Sequence, residues 1–306
     1  MSTNFVRSYG DASKKESVVL NAVEILTARE TMIFNMLGKT QAIDTVHSYL
    51  TDTLKAAAAN AAKEADDYSY SARTTPTRLS NVVQHLQVPF AVSDTQRRIE
   101  HYHGRDELER QTEKALMEFA NDAEFNLVRS TLTSGASGTA PAMSGIIEAI
   151  SKSTNTTSHT SGTAWSASIL DGMIAENYDN SNGDLATDLF MGSYLRKETD
   201  GFTQKTNVVV NAPGATTLVR TVSTYQTAFG TLNIHTHRYV QQSGDATGRV
   251  LGIRPDKLKV AFLEAPYIDN DVARTGTARK RSVNASMTLE VRNQDSNFFS
   301  DGFNIG

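Results

Sequence analysis

The chain has 306 residues, with 30 lysines and arginines against 34 acids for a formal charge of −4, and no cysteine. That length supplies a core for two compact units or one elaborated domain. The missing cysteines exclude disulfides and thiolate metal sites, and the charge gives no overall attraction to nucleic acid. No apolar run approaches the roughly 20 residues of a membrane span and "MSTNFVRSYGDASKKES" lacks a signal-peptide core, so the expectation is a soluble protein of a reducing, intracellular compartment.

The first helical pattern is "ESVVLNAVEILTARETMIFNMLGK", where Val19, Val23, Leu26, Ile33 and Leu37 recur at three- to four-residue spacings before Gly38. It reads as an arm or short helix. In "QAIDTVHSYLTDTL", Ile43, Thr45, His47 and Tyr49 alternate with Asp44, Val46, Ser48 and Leu50, which predicts a strand. A return strand is predicted from Leu79 to Val92 in "TRLSNVVQHLQVPFAVS".

Between the two lies "TDTLKAAAANAAKEADDYSYSARTTPTR", in which Ala56 to Ala62 is ideal helix by propensity, yet no Leu, Ile, Val or Phe occurs between Leu54 and Leu79. An isolated helix this short is marginal in water and needs an apolar face to pack. Within one compact domain so long an excursion must have a job.

The strongest helix is "GRDELERQTEKALMEFANDAEFNLVRSTLTS". Asp106 and Glu109 form a capping-box-like start, Leu108, Thr112, Ala115, Leu116, Phe119, Ala123 and Leu127 line one face, and Gly135 follows the end. From Glu107 to Leu132 it would span roughly 40 Å at about 1.5 Å per residue. Residues Gly135 to Gly162 read as Ser/Thr/Gly-rich loops around "MSGIIEAI". Next, "AWSASILDGMIAENYDNSNGDL" predicts a helix with Ile169, Met173 and Ile174 facing in, and "TDLFMGSYLRKETDGF" a strand running into a helix. "TNVVVNAP", "TTLVRTVSTYQTAFGTLNIHTHRYV", "DKLKVAFLEAPYI" and "RSVNASMTLEVRN" supply strands. The class is mixed α+β with mostly antiparallel potential and no internal repeat.

Four groups of residues carry possible chemistry. "GKT" at Gly38 to Thr40 lacks the glycine a phosphate loop needs five positions earlier, where Ile33 stands. "HYH" at His101 to His103 and "HTH" at His235 to His237 each set two imidazoles on one side of an extended chain, without a third ligand at a recognisable interval, so no metal or cofactor is assigned. Asp66 and Asp67 are adjacent and point apart if extended, which does not make an acid–base pair. "TSGASGTAP" and "SGDATGR" contain no G-x-S-x-G, and no catalytic residue is assigned.

Taken in order, "LGKTQAIDTVHSYLTDTL", "VPFAVSDTQRRIEHYHGRDELERQTEKALMEFANDAE", "FGTLNIHTHRYV" and "YIDNDVARTGTARKRSVNASMTLEVRN" resemble a tailed-phage major capsid (major head) protein of the Hong Kong 97-type shell fold, from Leu37 to Asn293. The resemblance implies an N-terminal arm (1–41), an extended loop (42–92) lying across a neighbouring subunit, a peripheral domain (93–144 and 255–306, spine helix about 106–132) and an axial domain (145–254). The last fifty residues would complete the peripheral sheet, while residues 1–30 and 294–306 stay unplaced.

The implied function is structural and not enzymatic. Copies of the chain would form hexamers and pentamers of an icosahedral head enclosing double-stranded DNA, with weak non-specific DNA contact, a portal and cement or decoration proteins as partners, and no membrane. Assembly would take place in the host bacterial cytoplasm and the product would reside in the virion. The Ala-rich excursion then leans on another copy of the chain, anchored by Tyr68, Tyr70, Arg73 and Arg78. Arg274, Arg279, Lys280 and Arg281 are assigned to a subunit contact over a phosphate contact. Lys55 and Lys63 fall where some capsids of this fold join subunits covalently through lysine, although a single 33 kDa band is expected here on a denaturing gel. Two rivals stand beside this reading: an encapsulin-like compartment shell sharing the fold, and a metal-dependent enzyme built on the histidine pairs.

Overall fold

The computed structural model describes residues 31–55, 57–61, 63–64, 67, 70, 72–98, 107–202, 223–242, 244–270, 272–273 and 276–305. Its elements in chain order are α1 (Met32–Met36), β1 (Gly38–Gln41), β2 (Val46–Thr51), β3 (Thr77–Val82), β4 (Gln84–Ser93), α2 (Asp94–Arg98), α3 (Glu107–Arg129), α4 (Ile146–Ile150) and β5 (Thr156–Thr163). There follow α5 (Ala167–Asn180), β6 (Asp188–Met191), α6 (Ser193–Phe202), β7 (Thr224–Gln226), β8 (Thr231–Thr236), β9 (Gly248–Ile253), β10 (Leu258–Asp269), β11 (Ala278–Val291) and β12 (Phe298–Phe303). Val19, Val23, Leu26, Asp106, the His101–His103 pair and "TNVVVNAP" lie outside the described residues.

The strands make a four-stranded sheet in the order β1-β10-β11-β4, a six-stranded sheet in the order β5-β12-β9-β6-β8-β7, and the separate hairpin β2-β3. Most ladders are antiparallel, as the sequence predicts; β1–β10, β5–β12 and β6–β8 are parallel.

Helix α3, at 23 residues, would be about 34 Å long at 1.5 Å per residue. It lies against β4 and β11. Leu108, Ala115, Leu116, Phe119, Ala123 and Leu127 are buried, as their spacing requires, together with Ala120 and Val128. The core they share takes in Val283, Ala285, Met287 and Leu289 of β11, Ile146 and Ile150 of α4, and Phe190, Leu251 and Phe299 from one face of the six-stranded sheet. Side chains of opposite parity on that sheet, Leu189, Met191, Val250 and Phe298, point the other way into a second core with Leu170 and Ile174 of α5 and Leu195 of α6. In α5, Leu170 and Asn177 are buried beside Met173 and Ile174, while Ile169 packs at the margin.

Three expectations change. The return strand predicted from Leu79 to Val92 is two strands in two sheets. β3 pairs β2, whereas β4 pairs β11 from Gln84↔Met287 to Ser93↔Ala278. The projecting segment thus ends at Val83, not Val92. β4 is an edge strand, which is why it tolerates Pro89 without losing a ladder hydrogen bond.

The Ser/Thr-rich stretch read as loop holds β5, a largely exposed edge strand. β12, from the unplaced C-terminal stretch, inserts between β5 and β9 in the six-stranded sheet and does not complete the four-stranded one. Gly302 permits that insertion: its φ is +94°, and a Cβ there would collide with the His159 carbonyl.

Phe119→Ala should lower stability by roughly 3–5 kcal/mol, because it empties the seat of α3 on its sheet. Met117→Ala, on the exposed face of the same helix, should change it by less than about 0.5 kcal/mol. Urea unfolding of both variants checks the contrast.

Candidate functional site

The chain leaves the four-stranded sheet after Gln41 and rejoins it at Gln84, and the described residues between form a finger whose base is tightly built. Ala42 donates its amide to the Phe262 carbonyl and Val83 donates to that of Thr45, both at 2.8 Å, and Ala42, Val83 and Ala261 are buried together. Asn81 is the chief fastening. Its Nδ2 donates to the carbonyls of Ser144 (3.1 Å) and Leu289 (2.9 Å), while Oδ1 accepts from the amides of Ser144 and Val82, each at 2.9 Å. Every hydrogen-bonding position of a buried amide side chain is thereby used.

The hairpin also leans on the end of β11. His47 Nε2 lies 3.2 Å from Glu290, Arg292 Nε donates to the same carboxylate at 2.6 Å, and Val291 donates its amide to the Tyr49 hydroxyl at 3.2 Å. Burial alone would raise the Glu290 carboxyl, but the hydrogen bonds from Arg292 and His47 outweigh it and hold the group below the ordinary glutamate range.

Beyond this base the described residues of the finger bond mainly to one another, as Thr74 Oγ1 does to the Thr53 carbonyl at 3.2 Å. Pairing of β2 with β3 stops at Thr51↔Thr77, and every described residue from Asp52 to Arg78 is exposed. A cleft of about 610 Å³ opens between Thr51–Leu54 and the loop Arg292–Asp295. The strand's polar and aromatic parity, His47 and Tyr49, faces the body, which leaves the apolar parity outside: Val46, Leu50 at 69 % and Leu54 at 99 % exposure, with Ile43 at 92 % just before the strand. Sequence alternation marks the two faces but not which of them is outward. Val46 and Leu50 share the outward face of β2, and Ile43 and Leu54 are exposed on either side of the strand; exposed aliphatic side chains gathered on a projection are a feature of surfaces that bind other molecules.

The residues singled out from sequence fall as follows. Lys55, Lys63, Tyr70 and Arg73 are exposed on the finger, Tyr70 at 93 %. Arg78 reaches across the hairpin to the Ser48 hydroxyl at 2.9 Å. Arg279 is exposed at the start of β11, Lys280 is half-buried, and Arg281 donates to the Thr112 hydroxyl of α3 at 3.3 Å. Tyr68 and Arg274 lie outside the described residues.

The candidate chemistry resolves into structure. Gly38 to Thr40 is strand β1, with the Lys39 ammonium 5.4 Å from the centroid of the Phe34 ring. His235 and His237 flank Phe190, but each faces its own carboxylate, Asp188 at 3.0 Å and Glu124 at 2.8 Å. Among the described residues no three His, Asp or Glu side chains converge as metal ligands. Burial would raise the Asp188 carboxyl, and hydrogen bonds from His235, Thr187 and Asn233 bring it below its usual value instead. "TSGASGTAP" is a tight turn bridged at Thr133–Ala142 and Ala136–Thr139. Ser286, His85 and Glu264 do meet, yet the acid touches the hydroxyl (3.4 Å) and not the imidazole, so nothing orients the ring as a base.

The family model for the SU10 major capsid protein matches residues 3–302. No curated protein matches the chain. Among solved structures, the capsid of a native GTA particle aligns at TM-score 0.60 and 10 % identity, covering 90 % of this chain and 91 % of that one. The SrpI encapsulin from Synechococcus elongatus PCC 7942 aligns at 0.59 and 10 %, covering 90 % and 88 %, and the capsid of Myoviridae phage XM1 at 0.56 and 12 %, covering 89 % and 92 %. These likenesses show the Hong Kong 97-type shell fold.

A carboxyl held low in the folded state contributes stability that is fully present above its unfolded value of about 4.3 and is lost as pH falls through the lower folded value. Glu290→Gln should therefore melt below wild type at pH 6, with the gap closing as the pH is taken toward 3 in a series of thermal scans. Asn81→Ala should cost about 2–4 kcal/mol, since it strands buried backbone groups at Ser144 and Leu289; urea midpoints check it.

Proposed function

This chain belongs to the SU10 major capsid protein family and is a structural protein of a phage capsid, and from that premise we propose that its finger is the extended loop by which each copy grips its neighbour in the shell. The observation that carries this reading is the set of exposed aliphatic side chains Ile43, Val46, Leu50 and Leu54 on and beside a projection whose described residues from Asp52 to Arg78 are all exposed. Such a contact joins unlike surfaces, so it runs head to tail and closes into rings, and hexamers and pentamers of such rings tile an icosahedral head around double-stranded DNA. Each interface can be modest while the summed shell is durable.

In this reading residues 1–41 are an arm and the four-stranded sheet with α3 is the peripheral unit. The six-stranded sheet with α5 and α6 is the axial unit. Tyr70 and Arg73 act as anchors around these aliphatic side chains, and Arg279 serves a subunit contact. The chain works without catalysis, its position is the virion, and portal and decoration proteins complete the particle. The encapsulin reading shares the fold, and it is the match over residues 3–302 that favours the phage shell.

Leu50→Asp with Leu54→Asp should leave far-UV circular dichroism and melting unchanged and cut the assembled fraction at least about tenfold in sedimentation, since burying each leucine contributes roughly 1.5–3 kcal/mol. Particles formed by the double variant at the wild-type level would refute the grip.

A further inference from the structure

Glu124 sits on the core-facing strip of α3 and is fully buried. A carboxylate in that position is costly unless donors meet it from several sides. They come from two elements far apart in the chain. The amides of Ile33 and Phe34 donate to Oε1 and Oε2 at 2.9 and 2.8 Å. These N–H groups belong to the first turn of α1, where no intrahelical acceptor exists, and Thr31 before it makes no capping bond through its side chain. The third donor is His237, whose Nε2 lies 2.8 Å from Oε1. Nδ1 of the same ring accepts the Tyr239 amide at 3.3 Å, so the proton of the neutral ring is on Nε2 and is donated to Glu124. The His237 amide in turn donates to the Met191 carbonyl at 2.9 Å, tying the ring to β6 inside the six-stranded sheet.

We propose that Glu124 is a shared latch, one carboxylate that fastens both α1 and the six-stranded sheet to α3, so that the seating of one is coupled to the seating of the other. Oε1 carries a donor from each side. Withdrawing His237 leaves the buried carboxylate short of a donor, and it then turns away from its seat, which weakens its hold on the α1 amides. The neighbouring contacts do not transmit this. Phe125 packs edge-on against Tyr239 at 5.7 Å, and Arg129 donates to Gln242 and Asp245 at 2.8 and 2.7 Å; these hold Tyr239, Gln242 and Asp245 to α3 and make no hydrogen bond to the Ile33 and Phe34 amides. The latch stands on the fold of the single chain. Under the assembly reading above, it makes a movement of the six-stranded sheet against α3 felt at α1.

Hydrogen exchange of the full-length chain, read by mass spectrometry on peptides covering residues 31–37 and 236–242, tests it. His237→Phe should speed exchange at Ile33 and Phe34 by at least about tenfold, although the ring's own hydrogen bonds go to Glu124 and Tyr239. His237→Gln, whose amide nitrogen can stand in for Nε2, should restore most of that protection, and Glu124→Gln should raise exchange in both peptides. Should His237→Phe fail to fold, Glu124→Met with His237→Phe replaces the pair by apolar groups; it should fold and still expose the Ile33 and Phe34 amides. Wild-type protection at Ile33 and Phe34 in either Phe variant, or an unchanged 236–242 peptide in Glu124→Gln, would overturn the latch and leave the assembly reading untouched.

Discussion

The buried strip of α3 from Leu108 to Val128 is the seat on which the other elements rest. It lies across β4 and β11, receives α4 and α1, and meets Phe190, Leu251 and Phe299 of the six-stranded sheet in one continuous core. Because α3 is one unbroken helix of 23 residues with both sheets packed into its core, the sheets share one frame. The polar groups on that frame are joints more than decoration: Glu124 toward α1 and His237, Arg129 toward Asp245, and Asn81 at the root of the finger. Burial would raise the Asp245 carboxyl, yet hydrogen bonds from Arg129 and the Gln242 amide, with the Arg249 charge, keep it low and charged.

The finger is the converse case. Its base uses every hydrogen-bonding position of Asn81, whereas the described residues of its shank are exposed and turn Leu50 and Leu54 to the outside. Fixing a residue costs about 1–2 kcal/mol in conformational entropy, a cost that a projection of alanine, serine and threonine cannot offset alone. On the proposed reading, a surface provided by a neighbouring copy offsets it, so that the finger is complete only in the shell.

The sequence made some of this legible and hid the rest for identifiable reasons. The face of α3 was legible because its apolar residues keep one period over six turns. The excursion was legible because apolar residues vanish from it. The split at Val83 was not, since Val82 and Val83 continue an apolar run, and the break is enforced by Asn81, whose partners Ser144 and Leu289 are distant in sequence. Glu124 carries no signal in the sequence beyond its helical spacing beside Ala123 and Leu127, and only the folded chain brings it two amides from about 90 residues away. β5 hides because edge strands need little apolar content, and β12 because it is short and carries Gly302. The histidine pair was visible as a pair, but its purpose was set by carboxylates on β6 and α3 that no local spacing announces.

The central claim is that the exposed aliphatic side chains of the finger are covered by another copy of the chain. Electron cryo-microscopy of assembled particles measures this directly. The account predicts density for the shank beyond Thr51 lying on an adjacent subunit, with Val46, Leu50 and Leu54 buried there. A map in which the shank folds back on its own subunit, or stands in solvent with those side chains uncovered, would contradict it.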